Sequence, residues 1–147
     1  MGNNAQIIKL LGAKKGKKFG YMDKLYWGYE GEFSKSITIE DLIKKVKKLC
    51  GPRVKIFKYG PEMIKKFGVV SGGGPYLLNE AVDKNLDVYL TGEPREPTEA
   101  WTKESGIHFI YLGHYNSEKF GILALGDFLK KKFPKLQIKF IDIPNPL

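Results

Sequence analysis

The chain has one cysteine, two histidines and no long apolar run. A single thiol, Cys50, cannot close an internal disulfide, and at the end of a helical repeat it reads as a small core residue rather than a nucleophile. Two histidines are too few for a self-sufficient three-histidine zinc site, and there is neither a CxxC pair nor a Ser-His-Asp order. No stretch reaches the ~18 apolar residues that a bilayer crossing needs, and the N-terminus lacks the charged-then-apolar pattern of a signal peptide. These absences leave a soluble, cytoplasmic protein without a membrane partner as the expectation. Arginine is scarce too, with 2 Arg against 23 Lys and only two Gln in a chain of net charge +9. Readers of bases and phosphates favour the planar fork of arginine, whereas lysine with glutamate is the mark of a heat-adapted, thermophile surface. The lysine clusters at 14–18, 44–48 and 130–132 are dispersed, so the charge argues for a solvated surface and against nucleic acid as partner.

What is present suits one domain over residues 1–147. A chain of this length buries roughly 68% of its unfolded surface, enough for a sheet covered by helices, and a hydrophobic fraction of 42% excludes disorder. Residues 4–11 form an apolar-rich helix candidate and 12–18 a lysine-glycine loop. Residues 19–33, with alternating Tyr26, Trp27, Tyr29 and Phe33, suit a hairpin or meander. Thr38 is a good N-cap for a helix in which Ile39, Leu42, Ile43, Val46 and Leu49 recur at helical spacing until Gly51-Pro52 ends it. Residues 54–59 predict a strand paired antiparallel near a sheet edge. From Phe67 onward the pattern is βαβ, with strands at 69–71, 88–91, 108–112 and 136–141 and helices near 76–84, 98–105 and 117–133.

The stretch 106–118, GIHFIYLGHYNSE, carries the most information. An apolar strand runs into His114, and Glu118 follows one helical turn later, so an imidazole and a carboxylate can converge on one metal ion. Two other segments share this grammar, GVVSGGGP at 68–75 and DVYLTGEP at 87–94. In open α/β sheets the carboxyl ends of parallel strands line one edge, where ligands usually bind. Ser71 to Gly74, Glu93, His114 and Glu118 should therefore lie on one side of the molecule. The glycine run could hold an anion on free amides but, with no Gly-Lys-Ser/Thr following, reads more simply as a tight turn. Glu93 has two readings, an acid that supports a site or a helix N-cap. His108, inside its strand, reads as a hydrogen-bonded packing residue. A histidine and a glutamate four apart are frequent by chance, so spacing alone does not establish a metal site.

The ordered set SGGG, DVYLTGE, GIHFIYLGHYNSEKFG and FIDIPNP resembles the carboxyl half of the NIF-three family, the NGG-one interacting-factor-three-like proteins, also known as GTP cyclohydrolase I type 2 homologues. The opening GNNAQIIKLLG is similar to that family's mid-chain segment. The resemblance covers nearly the whole chain and is strongest from Val69 to Pro146.

The resemblance implies an α/β fold, a three-layer α/β/α sandwich whose mixed sheet has an antiparallel N-terminal part, and toroidal hexamers. It also implies a pair of divalent metal ions (Zn, Mn, Fe or Ni), with His114 and Glu118 matching the family's last ligand motif. Family members carry an Asp-rich entry region, a double histidine and a further aspartate upstream of the GNNAQ-like segment. This sequence starts after them, and residues 95–101 lack the histidine that many relatives place beyond TGE. The expectation is thus half of a dinuclear site, with weak or no metal binding by this chain alone, completed by an N-terminal partner chain or by a homo-oligomer mate. Metal-dependent hydrolysis is the first functional expectation and a non-enzymatic metal-handling or protein-interaction module the alternative.

Overall fold

The computed structural model describes residues 1–143 and Asn145; Pro144 and Pro146 of the FIDIPNP match lie outside the described residues. Short apolar runs alternate with helical repeats, and the structure resolves them in chain order as α1 (Asn3–Leu10), β1 (Lys14–Met22), β2 (Leu25–Thr38), α2 (Ile39–Cys50), β3 (Lys55–Lys58), β4 (Met63–Val70), α3 (Leu78–Asp83), β5 (Val88–Thr91), α4 (Thr98–Ser105), β6 (His108–Tyr111) and α5 (His114–Lys132). A single tight turn, Pro75–Leu77, leads into α3.

The strands form one six-stranded mixed sheet in the order β1-β2-β4-β5-β6-β3. β4, β5 and β6 run parallel; β2 joins β4 and β3 joins β6 antiparallel, and β1 pairs antiparallel with β2. Two successive crossovers in one direction place α3 and α4 on the same face, because such connections are right-handed. There Leu78 and Ala81 of α3 pack with Phe19, Val70, Tyr89 and Phe109. The opposite face holds the larger core, where Ile7, Ile8, Leu42, Val46 and Phe120 of α1, α2 and α5 cover Phe67, Val69, Val88, Leu90 and Ile110. Alternate residues of the central strands thus serve two helical layers, which gives the three-layer α/β architecture. No helix among the described residues is long and apolar enough to cross a membrane.

Most expected elements are present. β3 is the antiparallel edge strand anticipated at 54–59, with Lys55 opposite Tyr111 and Lys58 opposite His108. Thr38 caps α2, its Oγ1 accepting from the Asp41 amide at 3.2 Å. Cys50 is buried, and burial pushes its thiol up to about 11. His108 is buried in β6 as a packing residue: Nδ1 accepts from the Gly60 amide at 3.0 Å and Nε2 lies 2.7 Å from the Pro61 carbonyl.

Two expectations are overturned. The lysine-glycine segment 12–18 is largely strand, not loop, because the Met22-Asp23-Lys24-Leu25 turn folds it onto β2. Asp23 and Lys24 both take positive φ (52° and 64°), the conformation of a tight two-residue hairpin turn. The strand anticipated at 136–141 is absent: residues 137–141 have no regular structure, and Ile138 and Phe140 lie alongside α5, lining one cavity with Ile122 and Leu125. The apolar side chains left outward on α5 compete for this segment more strongly than a sheet edge can.

Candidate functional site

Three strand-to-helix turns meet where β4, β5 and β6 end. At the third, Gly113 takes φ +87° and starts α5 directly at His114, so His114 and Glu118 stand one above the other on the first two turns of the helix. At the second, Glu93 follows Thr91-Gly92 and reaches across the gap between turns. The result is one imidazole flanked by two carboxylates. His114 Nδ1 lies 3.2 Å from Glu93 Oε2, and His114 Nε2 lies 3.5 Å from Glu118 Oε2. All three side chains are a little under half exposed, 43–47%, so the group is open to solutes.

The glycine run at 71–74 forms the wall of this group. At Gly72 a side chain would be strained by φ +71°, and its first carbon would lie 2.5 Å from Glu118 Oε1 and 3.3 Å from His114 Nε2. At Gly73 it would lie 2.7 Å from Glu93 Oε1. The tight-turn reading of this run is the one the structure supports, since the amides of Ser71, Gly72 and Gly74 are already used. Ser71 N donates to Asn4 Oδ1 (2.7 Å), Gly72 N to Ser117 Oγ (2.8 Å) and Gly74 N to Thr91 Oγ1 (3.1 Å). The Gly72 carbonyl in turn accepts from Thr91 Oγ1 (3.0 Å) and the Gly92 amide (2.7 Å).

The structure removes the N-cap reading of Glu93. The helix that follows begins after Pro97 with no side-chain cap, so Glu93 does not cap it. It faces His114 instead. Sequence reasoning missed the residues that hold the turns together: Asn4 on α1, Thr91 at the end of β5, and Ser117, whose hydroxyl accepts from Gly72 and donates to the His114 carbonyl (2.8 Å). Their signal was faint, namely small polar groups that become fully buried at the ends of apolar runs, as Thr91 and Ser117 are.

Chemically, a neutral imidazole can donate from only one nitrogen, so one of its two carboxylate contacts would set a lone pair against a negative oxygen. That contact becomes favourable when the ring is protonated or when a cation lies between nitrogen and carboxylate. Among the described residues, however, no three His, Cys, Asp or Glu side chains are grouped so as to hold a metal ion. The reason is geometric: Glu93 and Glu118 sit at opposite edges of the ring, and no single ion can take both with His114.

A family model described as Duf34/NIF3 (NGG1p interacting factor 3) matches residues 1–146. A protein of Archaeoglobus fulgidus called GTP cyclohydrolase 1 type 2 homolog is 34% identical over the full chain, which spans 58% of that protein's length. The solved structure of protein ybgI, of unknown function, superposes with a TM-score of 0.87 at 31% identity over 99% of this chain and 57% of that one. The structure of TTHA1606 from Thermus thermophilus gives a TM-score of 0.80 at 26% identity, covering 99% of this chain and 56% of that one. The chain thus spans a little over half the length of these relatives.

Proposed function

The chain belongs to the DUF34/NIF3 family, and from that premise we propose that His114 and Glu118 hold a divalent metal ion at a hydrolytic centre, with Glu93 orienting the imidazole. The observation that carries this reading is the bracketing of His114 by two carboxylates against a glycine wall that leaves no room for another side chain. The donor pair fits such an ion. Nitrogen and oxygen donors each ~2.1 Å from a tetrahedral ion lie about 3.4 Å apart, and the His114 Nε2 to Glu118 Oε2 separation is 3.5 Å.

A bound divalent ion would polarise a carbonyl or phosphoryl oxygen, or supply hydroxide near neutral pH. The chain's own residues prepare the place for it. Glu93 stands 3.2 Å from Nδ1, where it would accept a hydrogen bond from that nitrogen and leave the Nε2 lone pair on the Glu118 side. Ser117 ties the start of α5 to the Gly72 turn, so the two donors and the wall keep one spacing. Two donors do not complete a coordination shell, and the remaining positions fall to water, another chain, or the further length that the relatives possess. The relatives' name makes a cyclohydrolase-type opening of a heterocyclic ring one form this chemistry could take. A dinuclear centre belongs to the same proposal, with His114 and Glu118 as one part of its ligand set.

Calorimetric titration with Zn²⁺ and Mn²⁺ tests it. The chain should bind weakly, His114→Ala and Glu118→Ala should each abolish that binding, and Glu93→Gln should weaken it by about tenfold. Unchanged binding in His114→Ala would remove His114 from the site. Tight stoichiometric binding by the chain alone would show a ligand set different from the one proposed.

A further inference from the structure

We infer that the groove on the Glu93 side of His114 is an anion subsite, in which Arg53 and Lys55 receive the phosphate or carboxylate group of a small substrate. The groove has a volume of about 460 Å³, within the range of small-molecule sites, and is lined by Arg53, Lys55, Tyr111, Asn116, Asn145, Gly113 and the Gly92-Glu93-Pro94 turn. It adjoins the reactive group directly, since Glu93 forms part of both.

Among the described residues, the charge in this groove is not balanced. Ion pairs among the described residues engage Lys44, Lys58, Lys65 and Lys84, but neither Arg53 nor Lys55. The described lining therefore holds two cations outside any ion pair against one carboxylate, and that carboxylate is turned toward His114 Nδ1. Asn116 gives Oδ1 to Lys119 (3.1 Å), which leaves its amide hydrogens for the groove. The nineteen-residue helix α5 also opens here with no side-chain cap, so its positive end adds to the same field.

The kind of cation matters. In a chain with 23 lysines and 2 arginines, a random surface position would carry lysine. One arginine lines this groove. The other, Arg95, lies over the ring of Tyr76 at 5.2 Å, and Tyr76 lines the cavity on the other side of His114, beside Trp27. A guanidinium at Arg53 can make a planar bidentate contact to an oxyanion, which the ammonium of Lys55 complements as a point charge.

Naming the anion as part of a substrate rests on the reading of His114 as the reacting centre; the binding itself does not. The test is accordingly made without metal. Amide and side-chain NMR spectra of the full chain are titrated at constant ionic strength with inorganic phosphate and with ribose 5-phosphate. Shifts confined to Arg53, Lys55, Gly113 and Asn116 are expected, with the organic monoester bound more tightly than free phosphate. Arg53→Ala should weaken binding by about tenfold or more, Arg53→Lys by less, and Lys14→Ala on the far sheet edge not at all. Equal affinity for the two probes would assign the groove to free phosphate and overturn its role as a substrate subsite. Shifts spread over the lysines of β1, or equal affinity in Arg53→Ala, would show diffuse charge attraction and overturn the subsite altogether.

Discussion

At the scale of single residues, the site depends on positions whose constraints are steric, and one buried imidazole stands apart from it. Gly72→Ala places a side chain at φ +71° and within 2.5 Å of Glu118 Oε1. The backbone conformation alone should cost roughly 1–2 kcal/mol in a urea melt, and the displaced Glu118 should abolish metal binding even where the fold survives. His108 gives a pH prediction. Its Nδ1 accepts from Gly60, so Nε2 carries the proton and donates to Pro61; a second proton on Nδ1 would break the first bond. Burial, the leading cause, holds its pKa below the usual histidine value. The folded state therefore binds fewer protons than the unfolded state below about pH 6.5, and stability should be full above that pH and fall as pH drops through the folded value. Denaturant melts between pH 7.5 and 5 should show this decline, and a folded His108→Asn variant should lose it. Of these residues, His108 and His114 were legible because each sits at a defined place in an apolar run. Glu93 was placed on the same side as His114, but its contact with that ring was not legible, because its partner lies 21 positions away across β6 and no local pattern records that distance.

At the scale of elements, the site is a meeting of turns. Ser117 is fully buried, accepts from the Gly72 amide and donates to the His114 carbonyl. Ser117→Ala should strand that buried amide, cost about 1–3 kcal/mol, and loosen the spacing between wall and donors. Thermal unfolding reads the first effect and weaker Zn²⁺ binding the second. The parallel strands were legible because each is a short apolar run closed by glycine and followed by a helical repeat. β1 was not, since its lysines mask it as a loop. Those lysines have a structural meaning: β1 and β3 are the two edges of the sheet, and both carry exposed lysine, which opposes pairing with another edge. The segment after α5 misled for the opposite reason. Its apolar residues suit a strand, but they lie alongside the outward side chains of α5, a preference that depends on a surface no local window contains.

At the scale of the whole molecule, the most unusual feature is apolar surface. Ile122, Leu125 and Phe128 on α5, with Phe133, Leu136 and Phe140 after it, remain 36–59% exposed. A patch of this kind marks an interaction surface in soluble proteins. The chain should accordingly be a dimer or larger at tens of micromolar, an order-of-magnitude concentration for detecting a modest interface by light scattering, and Ile122→Lys with Phe128→Glu should shift it toward monomer. A clean monomer at that concentration would show that the patch is tolerated without a partner.

The central claim is that His114 binds a divalent ion through Nε2, with Glu118 beside it and Glu93 on Nδ1. Long-range proton–nitrogen spectra of the imidazole, recorded as Zn²⁺ is added, observe both ring nitrogens at once. The account predicts that the Nε2 resonance of His114 moves to the value of a metal-bound nitrogen, that Nδ1 stays protonated, and that Glu118→Ala suppresses the change. Metal shifts at Nδ1, or a His114 spectrum unaltered by Zn²⁺, would contradict it.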